Sequence, residues 1–274
     1  MRLIFATVLA LLAPSLALAA APSASAGGIE VDLALVLAVD ISYSMDPDEQ
    51  ALQRQGYVEA LTAPEVIQAI RNGPLGRIAV AYMEWAGTGQ GDIVADWTLI
   101  DDAASAKAFA DRLAKAPLNR SYRTSISWGM IHATEMLDGG PYRGQRRVID
   151  ISGDGPNNEG ALIEPTRASV LAKGIGINGL PIMLKRPWTF SFDLPHLDDY
   201  YHRCVIGGPG AFMVVIHDKA DFLKATREKL IQEVADRAPP KPAVIPAQDR
   251  PPISCTIGEE MWQGRFDRYN ERRP

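Results

Sequence analysis

Asp40-Ile41-Ser42-Tyr43-Ser44 sets one carboxylate and two hydroxyls within five consecutive residues, directly after an apolar run. All three are hard oxygen donors. Such donors suit Mg²⁺ or Mn²⁺ and do not suit zinc or copper. Two more oxygen donors stand at comparable places further along. Asp154 lies in Ser152-Gly153-Asp154-Gly155, after another apolar run, and Thr124 precedes an amphipathic segment. Ser121, Ser125 and Ser127 neighbour Thr124 and offer the same chemistry. A plainer reading makes Asp40 a strand-end turn residue, with Ser42 and Ser44 as helix caps. Donors at three matching positions favour the metal.

Other chemistries find less support. The chain has no G-x-S-x-G nucleophile elbow and no Walker A loop. The Asp40 loop lacks the second aspartate of a D-x-D phosphotransfer site. A bound Mg²⁺ can activate water, so a metal-assisted hydrolase stays as an alternative, but no general base accompanies the donors. The four histidines include no H-E-x-x-H pair, and His132 reads as a helix-surface residue. His217 and Asp218 read as a polar loop and helix cap. Asp150 falls inside an apolar strand, where a carboxylate must be paired; a structural partner such as an arginine is expected there, not a second metal.

These residues need strands and helices to hold them. Val31 to Val39 is almost continuously apolar and rich in Val and Leu, as in a strand buried on both faces of a parallel sheet. Arg77–Trp85, Ile93–Leu99, Arg147–Ser152, Ile175–Ile182 and Ala211–Ile216 read as five further strands, the Ile93 one at an edge. Between them lie helical segments. Asp46, Pro47 and Glu49 supply N-cap, N1 and N3 of a helix running towards Leu61. Asp102 caps a helix over Ala103–Ala114. Ile126, Gly129, Met130, Ala133 and Leu137 mark one face of another. Pro165–Lys173 and Lys219–Ala235 complete the set. The alternation predicts an α/β fold: a doubly wound, mostly parallel six-stranded sheet with helices on both faces. In such sheets ligands bind beyond the strand carboxyl ends, where the donors stand.

The donor pattern resembles the von Willebrand factor A (vWA) domain and its metal-ion-dependent adhesion site. That family carries D-x-S-x-S after the first strand, a distant Thr, and an Asp followed by Gly. Here the pattern falls on Asp40, Ser42, Ser44, Thr124 and Asp154. The resemblance covers roughly residues 29–235. Val148 to Asn158 is most similar to an uncharacterised bacterial subfamily of exported vWA-like domains. The resemblance implies metal-dependent recognition of a protein, with an acidic side chain of the partner completing the metal shell, and it implies binding in place of catalysis. A structural module with the metal position unused is the remaining alternative.

Composition bounds the rest. Of 274 residues 47% are apolar and 22% charged, with net charge -5, so there is no general basic footprint for nucleic acid. Residues 1–26 hold Arg2, an apolar run from Leu3 to Ala13 and small residues ending in Ala24-Ser25-Ala26. That order is a secretory signal peptide; the run is short for a membrane anchor, and Pro14 interrupts it. No later stretch offers about 18 uninterrupted apolar residues, so after cleavage the expectation is a chain without a membrane span, periplasmic or secreted. The vWA-like domain takes 29–235, a Pro-rich linker with six prolines 236–254, and a polar tail 255–274. An exported chain with two cysteines pairs them, so a Cys204–Cys255 disulfide is expected over a thiol nucleophile at Cys204. Cys204 is expected at the sheet end opposite the metal. The long segment Met183–Asp199 leaves the fifth strand on the metal face; it carries Arg186 and Trp188, residue types enriched at interface anchors.

Overall fold

The computed structural model describes residues 27–184, 194–235 and 252–271. The expected signal peptide, most of the Pro-rich segment, and Arg186 and Trp188 lie outside the described residues. Strand β1 (Ile29–Asp40) is buried from Val31 to its end. Its alternating side chains feed two cores. Leu33, Leu35, Leu37 and Val39 meet one helical layer, while Ala34, Val36 and Ala38 meet the other. The first layer holds α1 (Pro47–Thr62), α2 (Pro64–Arg71), α3 (Ala103–Lys115) and α7 (Phe222–Ala235), packed through Tyr57, Val66, Phe109 and Phe222. The second holds α4 (Ile126–Gly139), α5 (Ile163–Ala172) and α6 (Leu197–Tyr200), the last running on as a single π turn over Tyr201–Val205.

Helix starts follow local chemistry. Asp46 accepts from the Glu49 N–H at 2.7 Å, and the Glu49 carboxylate accepts from the Asp46 N–H at 2.9 Å, a reciprocal box with Pro47 at the first helical position. Asp102 and Ser105 form the same box at α3.

The sheet is mixed and five-stranded, in the order β3-β2-β1-β4-β5. Strands β2 (Ile78–Trp85) and β4 (Tyr142–Gly153) flank β1 in parallel, and β5 (Gly176–Pro181) lies parallel to β4. Strand β3 (Gly91–Ile100) runs antiparallel to β2 at the edge. The chain leaves β1 towards β2 and returns later to β4 on its other side, so the crevice opens at the carboxyl ends of β1 and β4. The register pairs Val39 with Ser152, which brings Asp40 and Asp154 to that crevice together.

The expected sixth strand is absent among the described residues. Residues 211–216 do run beside β5, with isolated parallel bridges Gly179–Met213 and Ile182–Ile216. The ladder breaks for two reasons. Phe212 spends its N–H on the Asn178 side chain at 3.0 Å, and Pro181 has no N–H to give. A helix not expected from the sequence, α8 (Ile257–Glu271), follows Cys255. Among the described residues no helix is long and apolar enough to cross a membrane.

Candidate metal centre

Asp40 ends β1 fully buried, and its Oδ1 accepts from the Ser42 N–H at 2.6 Å. That bond folds the loop back so the Ser42 and Ser44 hydroxyls stand 2.7 Å apart. Ser44 Oγ then donates to Asp154 Oδ1 at 2.5 Å. Four of the five expected donors therefore form one continuous oxygen cluster spanning the β1 and β4 loops. Thr124 borders it: its hydroxyl lies 4.0 Å from where a Cβ on Gly155 would stand. Gly153 is required between the carboxylates, since a Cβ there would sit 2.8 Å from Asp40 Oδ2.

Asp40 Oδ2 has no hydrogen-bond partner among the described residues. Burial, and then the Asp154 charge, push the Asp40 carboxyl up to about 8. Two buried carboxyl groups joined by serines form an acceptor-rich cluster of hard oxygens. Such a set fits a hard divalent cation. Among the described residues no group of three or more His, Cys, Asp or Glu is arranged to hold a metal, so any ion here depends on the hydroxyls. Tyr201, whose hydroxyl is also buried and has no hydrogen-bond partner among the described residues, closes the cluster from the π turn, 3.1 Å from the same Gly153 Cβ position.

The Thr124 loop is laced to both neighbours. Ser121 N–H donates to Ile41 O at 3.0 Å and Tyr43 N–H to Ser121 O at 2.9 Å, while Arg120 donates to the Tyr43 and Met45 carbonyls. On the other side Asn158 brackets Thr124: its N–H donates to Thr124 O at 2.8 Å, and its Oδ1 accepts from Thr124 N–H at 3.0 Å. Asn157 Oδ1 accepts from Ser127 N–H at 3.0 Å. The three competing hydroxyls are engaged elsewhere. Ser121 bonds Gln90; Ser125 caps α4 and donates to Glu159 O; Ser127 bonds Ser125. Asn157, Asn158, Gly153 and Tyr201 are site residues that the sequence reading did not single out. The string Gly155-Pro156-Asn157-Asn158 after Asp154 was a visible signal for two of them. Tyr201 had none, since it arrives from a separate helix.

Asp150 is kept for structure. Its partner is Lys229 of α7 at 2.6 Å, not an arginine, and Glu233 lies 2.5 Å from the same ammonium. Cys204 and Cys255 are bridged, with Cα atoms 5.5 Å apart. Cys204 stands between Tyr201, beside Gly153 at the crevice, and Gly207, which pairs with Ile177 near the amino end of β5. Cys204 sits in the π turn one helical turn past Tyr200, whose hydroxyl accepts from the Asn157 N–H at 3.1 Å. From there the chain descends towards the amino end of β5 before residues 211–216 run up beside it.

This fold is that of a vWA-type α/β module. A von Willebrand factor type A protein from Catenulispora acidiphila aligns with a TM-score of 0.52 at 15% identity, over 74% of this chain and 43% of that one. The pilus adhesin SpaC from Lactobacillus rhamnosus GG gives 0.55 at 12%, over 75% and 31%. Proximal thread matrix protein 1 from the mussel byssus, with a zinc-occupied MIDAS motif, gives 0.55 at 12%, over 76% and 49%. The chain thus spans less than half the length of each. No curated protein matches in sequence. The chain belongs to the family described as "Protein of unknown function (DUF1194)", whose profile matches residues 30–238.

Proposed function

We propose that this chain is an exported vWA-type module that binds a protein partner through a divalent metal, Mg²⁺ or Mn²⁺. Asp40, Ser42, Ser44, Thr124 and Asp154 would hold the ion. The observation that carries this reading is the buried Asp40 oxygen without a hydrogen-bond partner among the described residues, set beside a serine-bridged second carboxylate. Leaving such an atom unpaired is costly, and a cation at this position removes the cost. When bound, the ion supplies an open coordination position for a carboxylate oxygen of the partner. The chain's own residues do the rest. Ser42 N–H fixes the Asp40 rotamer, Asn158 fixes the Thr124 backbone, and Tyr201 keeps one side of the cluster dry. The zinc-occupied site of the mussel relative supports a divalent ion in this fold and adds zinc to the ions worth titrating. Export rests on the N-terminal sequence pattern. Arg186 and Trp188, in the segment after β5, are proposed to help select the partner.

Calorimetry tests the metal. Mg²⁺ or Mn²⁺ should bind the wild type and not Asp40→Ala, with circular dichroism unchanged. Equal binding by both sinks the assignment. Capture from envelope extract, Mg²⁺ against chelator, tests the partner. Trp188→Ala should weaken metal-dependent capture, and capture that ignores the chelator contradicts the mechanism.

A further inference from the structure

The C-terminal helix α8 lies beyond the stretch that the family profile matches, yet it touches both of the loops that carry Thr124 and Asp154. Towards the first, the Trp262 ring stacks on the Arg123 guanidinium, 3.5 Å from ring centroid to Cζ. Arg123 immediately precedes Thr124 and is the one described non-glycine residue with a left-handed backbone, φ 72°. A long side chain seldom adopts that conformation unaided, so a partner that pins Arg123 also sets the direction in which Thr124 leaves it. Towards the second loop, Glu259 Oε1 accepts from Asn157 Nδ2 at 2.8 Å. The same amide's Oδ1 holds the Ser127 N–H, and its backbone N–H is held by Tyr200. Contact there is close: a Cβ on Gly258 would sit 1.9 Å from Asn157 O. Ile253 and Ile257 pack onto the core beneath, and the Cys204–Cys255 bridge fastens the start of the helix.

We infer that α8 is a clamp that assembles the metal centre, with Trp262, Gly258 and Glu259 as positioning residues acting through Arg123 and Asn157. The inference rests on the metal reading above, because what the clamp orders is the Thr124 and Asp154 donors. Residues that orient ligands from outside the coordination shell commonly matter 10–100-fold in metal affinity. The centre is then completed by a segment outside the vWA-like domain, and a chain cut after α7 would carry all five donors without their final geometry.

The test uses the full chain and Mg²⁺ or Mn²⁺ as probe. Trp262→Ala should weaken binding by roughly tenfold, and Trp262→Phe, which keeps a ring for Arg123, should stay near the wild type. Gly258→Ala separates docking from helix strength. Alanine improves helix propensity, but its methyl collides with the Asn157 carbonyl, so α8 stays helical and affinity falls. Amide exchange at Thr124 and Ser127 should quicken in Trp262→Ala and Gly258→Ala. If both variants titrate as wild type and exchange no faster, the clamp is wrong. If the wild type takes up no ion, the metal reading fails on its own, and the exchange rates still decide whether α8 orders these loops.

Discussion

At the scale of single residues, the proposed centre sets two buried carboxyl groups close together. Asp40 sits fully buried, with one oxygen bonded to Ser42 N–H and the other without a partner among the described residues. Asp154 is tied to it through Ser44 and Ser42. If the proposed metal site is right, the metal-free pair is a local destabilisation of the kind functional sites often carry. Asp40→Asn should therefore raise the melting temperature of the metal-free protein. A gain of about 1 kcal/mol corresponds to roughly 2–4 °C for a domain of this size. Saturating Mg²⁺ should reverse the order, since only the wild type gains from binding. A melting temperature for Asp40→Asn that is lower than wild type in chelator would mean that Asp40 is a structural residue.

At the scale of elements, α7 is bolted to the sheet by a buried charge cluster. Lys229 reaches Asp150 of β4 and Glu233 of its own helix, Asn178 of β5 donates to Glu233 at 3.2 Å, and Tyr57 of α1 faces Asp150. One ammonium cannot neutralise two carboxylates. Burial first, and the Asp150 charge second, push the Glu233 carboxyl from 4.5 up to about 7. Between those values the folded chain keeps a proton that the unfolded chain has released, so this group's contribution is full below the lower value and is lost as pH rises through the upper one. The slope is at most about 1.4 kcal/mol per pH unit. Glu233→Gln removes the titration. Denaturation across about pH 5 to 8 should show the variant gaining on the wild type as pH rises, in line with that linkage. A gap that stays constant would mean that another group carries the proton.

At the scale of the whole molecule, the Cys204–Cys255 bridge turns a C-terminal segment into part of the domain. Its sequence separation of 51 is long. In the chain-entropy model a loop of that size contributes on the order of 4 kcal/mol by restricting the unfolded chain. The Cys204→Ser/Cys255→Ser double variant should unfold at lower denaturant by about that amount, and α8 amides should exchange faster than the sheet. Wild-type chain unfolded without reductant should release no thiol. An unchanged midpoint would mean that the packing of Ile253 and Ile257 alone holds the segment.

What was legible in the sequence is what local physics decides. The apolar run before Asp40 declared a doubly buried strand, because side-chain periodicity and β-branching belong to the segment itself. Asp46-Pro47-x-Glu49 declared a helix start, since a cap is made by residues three apart. The five donors stood out because each follows or precedes such an element. Their convergence is another matter. It depends on the order β3-β2-β1-β4-β5 and on the Val39–Ser152 register, which are set by which faces can be buried against one another. The sixth strand failed on a proline and an asparagine whose effect appears only beside β5. Asp150 found a lysine where an arginine was expected, because the helix that passes over it chose the partner. Asn157, Asn158 and Tyr201 surround the donors through long-range packing, and α8 reaches them from the far end of the chain. Local sequence determines the elements and the donor types they carry; contacts between residues distant along the chain determine which donors meet, because burial and polar satisfaction are settled only when the layers close.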